Sequence, residues 1–207
     1  MPYPPGHRGE VKDRIVQSAR TLFNQFGFDS VSVDRIMAHA GLTRGGFYTY
    51  FKSKSELYSE VLQCFFTDPN WNSRWEGVDV DMSASDAGPQ IVRAYLSRQH
   101  FEDVGNSCPM VALPSDVARA GKTAKAAFEN VFQAMTGVLQ CGSPSRTRAQ
   151  AIAALCIGGM VVARALDDRA LADELRQAAM TVALELGGWE QAANCDMVAA
   201  CDSRASA

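Results

Sequence analysis

The run from Val31 to Phe51, VSVDRIMAHAGLTRGGFYTYF, constrains the fold more than any other part of the chain. It predicts two short helices joined by a tight turn. Ser32 is a good N-cap, and the apolar residues that follow recur on one helical face: Val33, Ile36, Met37 and Ala40. Gly41 allows a first helix to end and the chain to turn sharply. A second helix is predicted to begin at Thr43, whose hydroxyl can cap it.

The second helix of this pair separates an inner face from an outer one. Leu42, Phe47 and Phe51 are expected to point inward. The residues left outside are polar, aromatic or bare backbone: Thr43, Arg44, Gly45, Tyr48 and Tyr50. Such a surface suits the major groove of DNA, which admits a helix and offers base edges for hydrogen bonding. The pattern therefore predicts a helix-turn-helix.

The chemistry of the side chains suggests a role for each at such a surface. Arg44 can donate two hydrogen bonds to guanine O6 and N7. Tyr48 and Tyr50 suit contacts with phosphates and thymine methyls, although one of the two could pack inside. Lys54, at the start of a further helix, is the expected phosphate clamp. The full set of predicted DNA contacts is Ser32, Thr43, Arg44, Gly45, Tyr48, Tyr50, Lys52 and Lys54.

Residues from about Val11 to Phe66 resemble the N-terminal domain of the TetR/AcrR family of bacterial transcriptional regulators. The segment GLTRGGFYTYFKSKSEL, from Gly41 to Leu57, carries the resemblance through its turn glycine, hydroxyl, basic residue, aromatic-x-aromatic-Phe and Ser-Lys-x-x-Leu helix start. The resemblance covers roughly the first third of the chain. It implies the same set of DNA contacts, favours a dimer, and implies a small-molecule pocket in a C-terminal helical domain.

The remaining periodicity predicts an all-α protein of about nine helices. The stretch from Glu10 to Phe26 carries one apolar stripe and is expected to complete a three-helix unit with the helix-turn-helix. Ser53 and Glu56 form a capping box for a fourth helix. We predict a helix-turn-helix DNA-binding domain over residues 8–68, a helical effector-binding and dimerisation domain over 69–190, and a disordered tail over 191–207.

The charge distribution is compatible with DNA binding. The chain has a net charge of −3, but residues 1–60 carry a balance of +2 and the rest −5. The basic end is therefore the end that holds the helix-turn-helix. The longest apolar run is shorter than the roughly 20 residues of a membrane span, and the N-terminus lacks a signal pattern, so a cytoplasmic location is expected.

The last two predicted helices, over residues 145–167 and 169–186, are the most regular. Their apolar stripes predict a four-helix dimer interface, although both could instead face their own core. The predicted interface residues are Ile152, Leu155, Gly159, Val162, Leu166, Leu171, Leu175 and Val182. Small residues such as Gly159 would let a partner helix approach closely.

Apolar residues of the second domain are candidates for lining an effector pocket, although most residues of this kind are simply core. They are Trp71, Phe101, Met110, Phe128, Phe132 and Met160. Cys108, in the polar break GNSCP, is a candidate thiol for sensing oxidants or electrophiles, although a buried, inert cysteine is the more frequent outcome.

No catalytic set, metal-ligand spacing or cofactor motif is evident, so an enzyme is not expected and no cofactor or metal is predicted. The helix-turn-helix pattern and the family resemblance together favour a homodimeric repressor. It is expected to bind double-stranded palindromic operator DNA and to be released by a small hydrophobic effector. The alternative is a regulator whose input is oxidation or alkylation of Cys108.

Overall fold

The computed structural model describes residues 7–64, 80–140 and 145–189. Within these ranges the chain forms ten α-helices and one 3₁₀ helix and no β-strand, which confirms the all-α prediction. The elements are α1 (His7–Phe26), α2 (Val33–His39), the 3₁₀ helix (Arg44–Thr49), α3 (Lys54–Gln63), α4 (Ala87–Tyr95), α5 (Arg98–Glu102), α6 (Pro109–Ala112), α7 (Pro114–Arg119), α8 (Lys122–Gln140), α9 (Arg146–Ala165) and α10 (Arg169–Gly187). The number exceeds the predicted nine because three short helices, α5 to α7, divide residues 98–119.

The described residues fall into two compact units. The first holds residues 7–64 and 102–133, and the second holds residues 80–101, 134–140 and 145–189. The predicted division at residue 68 had assigned 102–133 to the C-terminal domain. In the structure, Leu113, Val117, Ala124 and Ala127 instead share a buried core with α1, α2 and α3. The predicted tail over 191–207 lies outside the described residues.

The core of the first unit is aromatic where α1 meets α3. Phe23 and Tyr58 make an edge-to-face contact with ring centroids 5.5 Å apart, and Phe28 lies 4.6 Å from Tyr58. Two of the caps predicted for this unit are present, those of Ser32 and Ser53. The Ser32 hydroxyl accepts a hydrogen bond from Arg35 N at 3.2 Å, and the Ser53 hydroxyl accepts one from Glu56 N at 3.1 Å.

Polar contacts fasten α1 to the segment that follows residue 102. The buried Asn24 amide donates to Gly105 O at 3.1 Å and to Ser107 O at 2.9 Å. Just after α1, Asp116 on α7 accepts from Phe28 N at 2.9 Å. These bonds satisfy backbone groups that the turns after α1 and α5 would otherwise leave unpaired. Residues 102–133 therefore support the N-terminal helices.

The second unit is organised around the pairing of α9 with α10. Ile152, Cys156 and Met160 on α9 are fully buried within the unit. Arg176 of α10 is also buried, at 3% exposure; it donates to Leu96 O at 2.7 Å and bonds Asp173. The helix α9 is also long enough and apolar enough to cross a membrane. Its buried residues show that one side of it instead packs within this unit.

The helices α9 and α10 approach each other closely at Gly159. A Cβ added at this position would lie 2.8 Å from Ala179 Cβ and 3.4 Å from a methyl group of Leu96. The prediction that Gly159 packs against a partner subunit is therefore wrong, since its neighbour is a helix of the same chain. Ile152, another predicted interface residue, is likewise buried in its own unit.

We expect Gly159→Ala to lower stability by about 1–3 kcal/mol, because the added methyl forces α9 and α10 apart. Gly137→Ala is the matched control: Gly137 lies inside α8 and has nothing within 4 Å of the added Cβ. The same change there should stabilise by about 0.5–1 kcal/mol through the helix propensity of alanine. Urea unfolding of both variants tests this contact, and equal stability changes would contradict it.

Candidate DNA-binding surface

The 3₁₀ helix is positioned by a glycine turn and one aromatic anchor. Gly41 has φ +68°, and the turn it allows is closed by a hydrogen bond from Leu42 N to Met37 O of 2.8 Å. Phe47 is fully buried and lies 5.8 Å from the Phe51 ring, as predicted for the inner face. This anchor faces the core, so the opposite side of the 3₁₀ helix faces solvent.

Thr43 stands at the N-cap position, but its hydroxyl makes no capping hydrogen bond, contrary to the prediction. The reason is the tighter winding of the 3₁₀ helix. Gly46 N, the donor that a capping hydroxyl would engage, already bonds Thr43 O at 3.0 Å. The exposed Thr43 hydroxyl therefore does not cap the 3₁₀ helix and faces solvent.

The residues predicted for the outer face are largely where that prediction put them. Thr43, Arg44, Gly45 and Tyr48 are exposed, Tyr48 to 62%. A Cβ added to Gly45 would meet nothing within 4 Å, so a flat ligand surface can approach the backbone there. Tyr50 is half-buried, in line with the expectation that one tyrosine of the pair could pack inside.

Arg44 is paired with an acidic residue of α2. Its Nη1 lies 3.0 Å from Asp34 Oδ2, and both side chains are exposed, 66% for the arginine and 56% for the aspartate. An exposed ion pair of this kind contributes about 0–1 kcal/mol to stability. The contact with Asp34 uses one of the five guanidinium donors, so Arg44 keeps donors for a ligand.

Lys54 is not placed as a phosphate clamp. Its Nζ donates to Phe28 O at 2.8 Å and to Val31 O at 3.0 Å, and it lies 4.2 Å above the centre of the Phe28 ring. Burial lowers the pKa of Lys54, while the carboxylates of Asp29 and Asp116 act in the opposite direction. The ammonium group thus fastens the turn between α1 and α2. Sequence reasoning could not see this, because the two carbonyls belong to residues more than twenty positions away.

Comparison with known proteins identifies this arrangement. Residues 15–61 match the family described as "Bacterial regulatory proteins, tetR family". The chain is 44% identical over 52 residues to the transcriptional regulator AcrR of Shigella flexneri, a match covering 25% of this chain and 24% of AcrR. It is 32% identical over 56 residues to IcaR of Staphylococcus aureus, covering 27% of this chain and 30% of IcaR. The chain therefore matches less than a third of the length of these curated relatives.

Solved structures extend the likeness to most of the fold. Reduced NemR of E. coli superposes with a TM-score of 0.67 at 17% identity, covering 84% of this chain and 95% of NemR. A TetR/AcrR family member superposes with a TM-score of 0.64 at 16% identity, covering 86% and 99% of the two chains. Residues 15–61 therefore belong to the tetR family of bacterial regulatory proteins, and the chain shares its fold with solved members of the TetR/AcrR family.

Two further arginines lie close to this surface and were not among the predicted contacts. Arg8, in the first turn of α1, donates to Thr49 O at 3.1 Å and lies 6.0 Å from the centre of the Tyr50 ring. Arg35 of α2 lies 3.8 Å above the exposed Phe26 ring. Arg35 follows the Ser32 cap by three residues, so the sequence could have predicted that it lies in the first turn of α2. The position of Arg8 beside the 3₁₀ helix depends on how α1 packs, which the sequence does not show.

The other predicted DNA contacts are exposed but have partners. Ser32 is exposed while its hydroxyl caps α2, and the Lys52 side chain is exposed while its backbone N donates to Glu56 Oε2 at 2.6 Å. Lys12, which was not a predicted DNA contact, is paired with a carboxylate: its Nζ lies 2.5 Å from Glu60 Oε1, and this hydrogen bond raises the pKa of Lys12. The surface around the 3₁₀ helix therefore keeps cationic groups that are not all neutralised by neighbouring carboxylates.

The predicted effector residues are divided between the two units. Met110, Phe128 and Phe132 belong to the first, where Met110 is fully buried and the two phenylalanines are half-buried. Phe101 and Met160 belong to the second and are both buried. Trp71 lies outside the described residues. Full burial of Met110 and Met160 agrees with the interpretation of these two as core.

Cys108, the cysteine predicted to sense oxidants, is buried, and so is Cys156. Cys108 is 1% exposed and precedes the first residue of α6, without capping it through its side chain. Cys156 is fully buried, and this burial raises its thiol pKa to about 12. Neither thiol sits at a surface where an oxidant reaches it directly.

Proposed function

We propose that this chain is a homodimeric, DNA-binding transcriptional repressor that a small apolar effector releases from a near-palindromic operator. The observation that carries the proposal is the solvent-facing side of the 3₁₀ helix. There Thr43, Arg44, Gly45 and Tyr48 are exposed together, while Phe47 anchors the helix from behind. Such a surface offers hydrogen-bond donors, an aromatic ring and open backbone to a DNA groove. A cytoplasmic location accompanies the proposal, because that is where bacterial operators are.

The names of the relatives support regulation of transcription. AcrR is described as a transcriptional regulator, and IcaR as a negative transcriptional regulator of a biofilm operon. The structural neighbours include EbrR, described as a multidrug binding protein complexed with imidazole. By analogy, we propose repression as the activity of this chain and a small organic molecule as its effector, and we expect no enzymatic activity.

The dimer is proposed from apolar side chains left exposed on α9 and α10. Val162 is 50% exposed, Leu171 47% and Val182 42%. Leu155, Leu166 and Leu175, also predicted for the interface, are half-buried. Two copies that cover these side chains against each other form an isologous interface. Each dimer then presents two 3₁₀ helices to successive major grooves about 34 Å apart.

The effector proposal rests on Phe128 and Phe132, which stand one helical turn apart on α8 and remain half-buried. Half-buried aromatic rings can be covered by a planar apolar molecule. A panel of such compounds, titrated against the operator complex, is expected to release the DNA. Release by hydrogen peroxide and not by the panel would instead favour the thiol input through Cys108.

DNA binding itself can be tested by selecting bound sequences from a random duplex library and measuring affinity for the enriched site. We expect Arg44→Ala to weaken binding to that site by about 1–3 kcal/mol and to relax preference at one base pair, because a bidentate contact to guanine is lost. Arg93→Ala, an exposed change on α4 in the other unit, is the control and should leave both quantities unchanged. Equal loss of affinity for selected and scrambled DNA would contradict the assigned role of Arg44.

A further inference from the structure

We propose that Asp34 is a specificity-determining residue of the DNA-binding surface, whose carboxylate orients Arg44 for one base pair and penalises binding to other sequences. The inference rests on the proposed function. Asp34 lies in the first turn of α2, two residues after the Ser32 cap, and is joined to Arg44 at the start of the 3₁₀ helix by the 3.0 Å contact. The pair links the two helices of the helix-turn-helix at their exposed edge.

The contact is too exposed to be explained by the needs of folding. With 66% and 56% of the two side chains in solvent, water screens their attraction, and such pairs contribute little to stability. The first unit is held instead by the buried residues of α1, α2, α3 and the 3₁₀ helix, among them Phe23, Phe47 and Tyr58. The pair can therefore be altered without loss of the fold.

What the pair does change is the freedom of the arginine. A guanidinium group has five donors, and one hydrogen bond to Asp34 leaves enough of them for two bonds to guanine. Because the Asp34 hydrogen bond already restricts the Arg44 side chain, Arg44 loses less rotational freedom when it binds DNA. When DNA excludes water from the interface, the attraction between the two charges also increases. Asp34 is thus a positioning residue for Arg44.

The same carboxylate has an opposite effect on non-specific binding. A negative charge beside the 3₁₀ helix is repelled by the phosphates of any duplex, whatever its sequence. The repulsion is offset only where Arg44 gains a good base contact. A group that opposes wrong partners while supporting the right one is a common source of specificity. Asp34 should therefore lower general DNA affinity and raise discrimination.

The test uses Asp34→Asn, Asp34→Glu and the control Asp13→Asn, all in the full-length chain. Asp13 is an exposed acid on α1, so the control makes the same charge change elsewhere in the first unit. For each variant we would measure affinity for the selected operator, for operators substituted at each base pair, and for scrambled DNA, over a range of salt concentrations. Circular dichroism would confirm that the helices are retained.

Asp34→Asn is expected to bind scrambled DNA more tightly, with a salt slope steeper by about one, because one repelling charge is gone. Its preference at the base pair read by Arg44 should fall about fivefold or more. Asp34→Glu keeps the charge and displaces the carboxylate, so it should lose preference without gaining general affinity. Asp13→Asn should leave the preference unchanged. In an Arg44→Ala background, Asp34→Asn should have no further effect on preference at that base pair.

Unchanged preference at every base pair in Asp34→Asn would overturn the inference. So would an equal loss of affinity for all sequences, which would mean that Asp34 matters through the stability of α2. If the wild-type chain enriches no sequence at all, the proposed DNA-binding function fails, and this inference fails with it. A wild type that selects a site while Asp34→Asn selects it equally well contradicts the inference alone.

Discussion

Replacing Val162 and Leu171 together with aspartate is expected to convert the proposed dimer into monomers that bind the operator about a hundredfold more weakly, or worse. Both side chains are about half exposed within their own chain, so the change buries no charge in the unit that carries them. In a dimer, however, the aspartates would have to be buried against a partner, at a cost that an apolar interface cannot offset. A monomer can contact only one of the two operator half-sites, so the affinity contributed by the second half-site is lost.

Light scattering would report the oligomeric state, and fluorescence anisotropy the operator affinity. Gln177→Asp is the matched control, because Gln177 is exposed on the side of α10 away from Leu171 and Val182. It should remain dimeric and keep full affinity. A Val162→Asp, Leu171→Asp double variant that stays dimeric would place the subunit interface on other residues.

Replacing Lys54 with methionine is expected to lower stability by about 2–3 kcal/mol, since it removes two charge-assisted hydrogen bonds. Within the described part of the chain, Phe28 O then keeps only the 3.5 Å hydrogen bond from Val31 N. For a chain of this size that loss of stability corresponds to a Tm lower by about 4–12 °C. Methionine keeps the apolar stem that packs on Phe28. The loss can therefore be assigned to the ammonium group.

Lys52→Met is the matched control, two residues away and on an exposed side chain. It should leave stability within about 0.5 kcal/mol of the wild type. It should also weaken binding to all DNA sequences and reduce the salt slope by about one, as expected for a phosphate contact. If Lys54→Met instead keeps its Tm and shows this DNA-binding effect, Lys54 is the phosphate clamp first predicted from the sequence.

Local sequence signals were sufficient to predict the helix-turn-helix. Ser32 and Ser53 cap their helices, Gly41 makes the turn, and Phe47 and Phe51 point inward, as their spacing predicted. Each of these features depends on residues a few positions apart, so a periodicity or a capping pattern contains nearly all of the relevant physics. Because the inner face was predicted correctly, the exposed side of the 3₁₀ helix, which we propose binds DNA, was predicted as well.

Tertiary structure decided which of several possible partners each side chain takes. The sequence shows that Lys54 is basic and that Gly159 is small, but not that the first binds carbonyls of the preceding turn or that the second meets Ala179 of its own chain. Nor does it show that residues 102–133 join the N-terminal unit through Asn24 and Asp116. These contacts join positions that are distant in sequence, and many alternative pairings satisfy the same helical pattern. Only the packing of the whole chain selects among them, because it decides which polar groups are buried and must be satisfied.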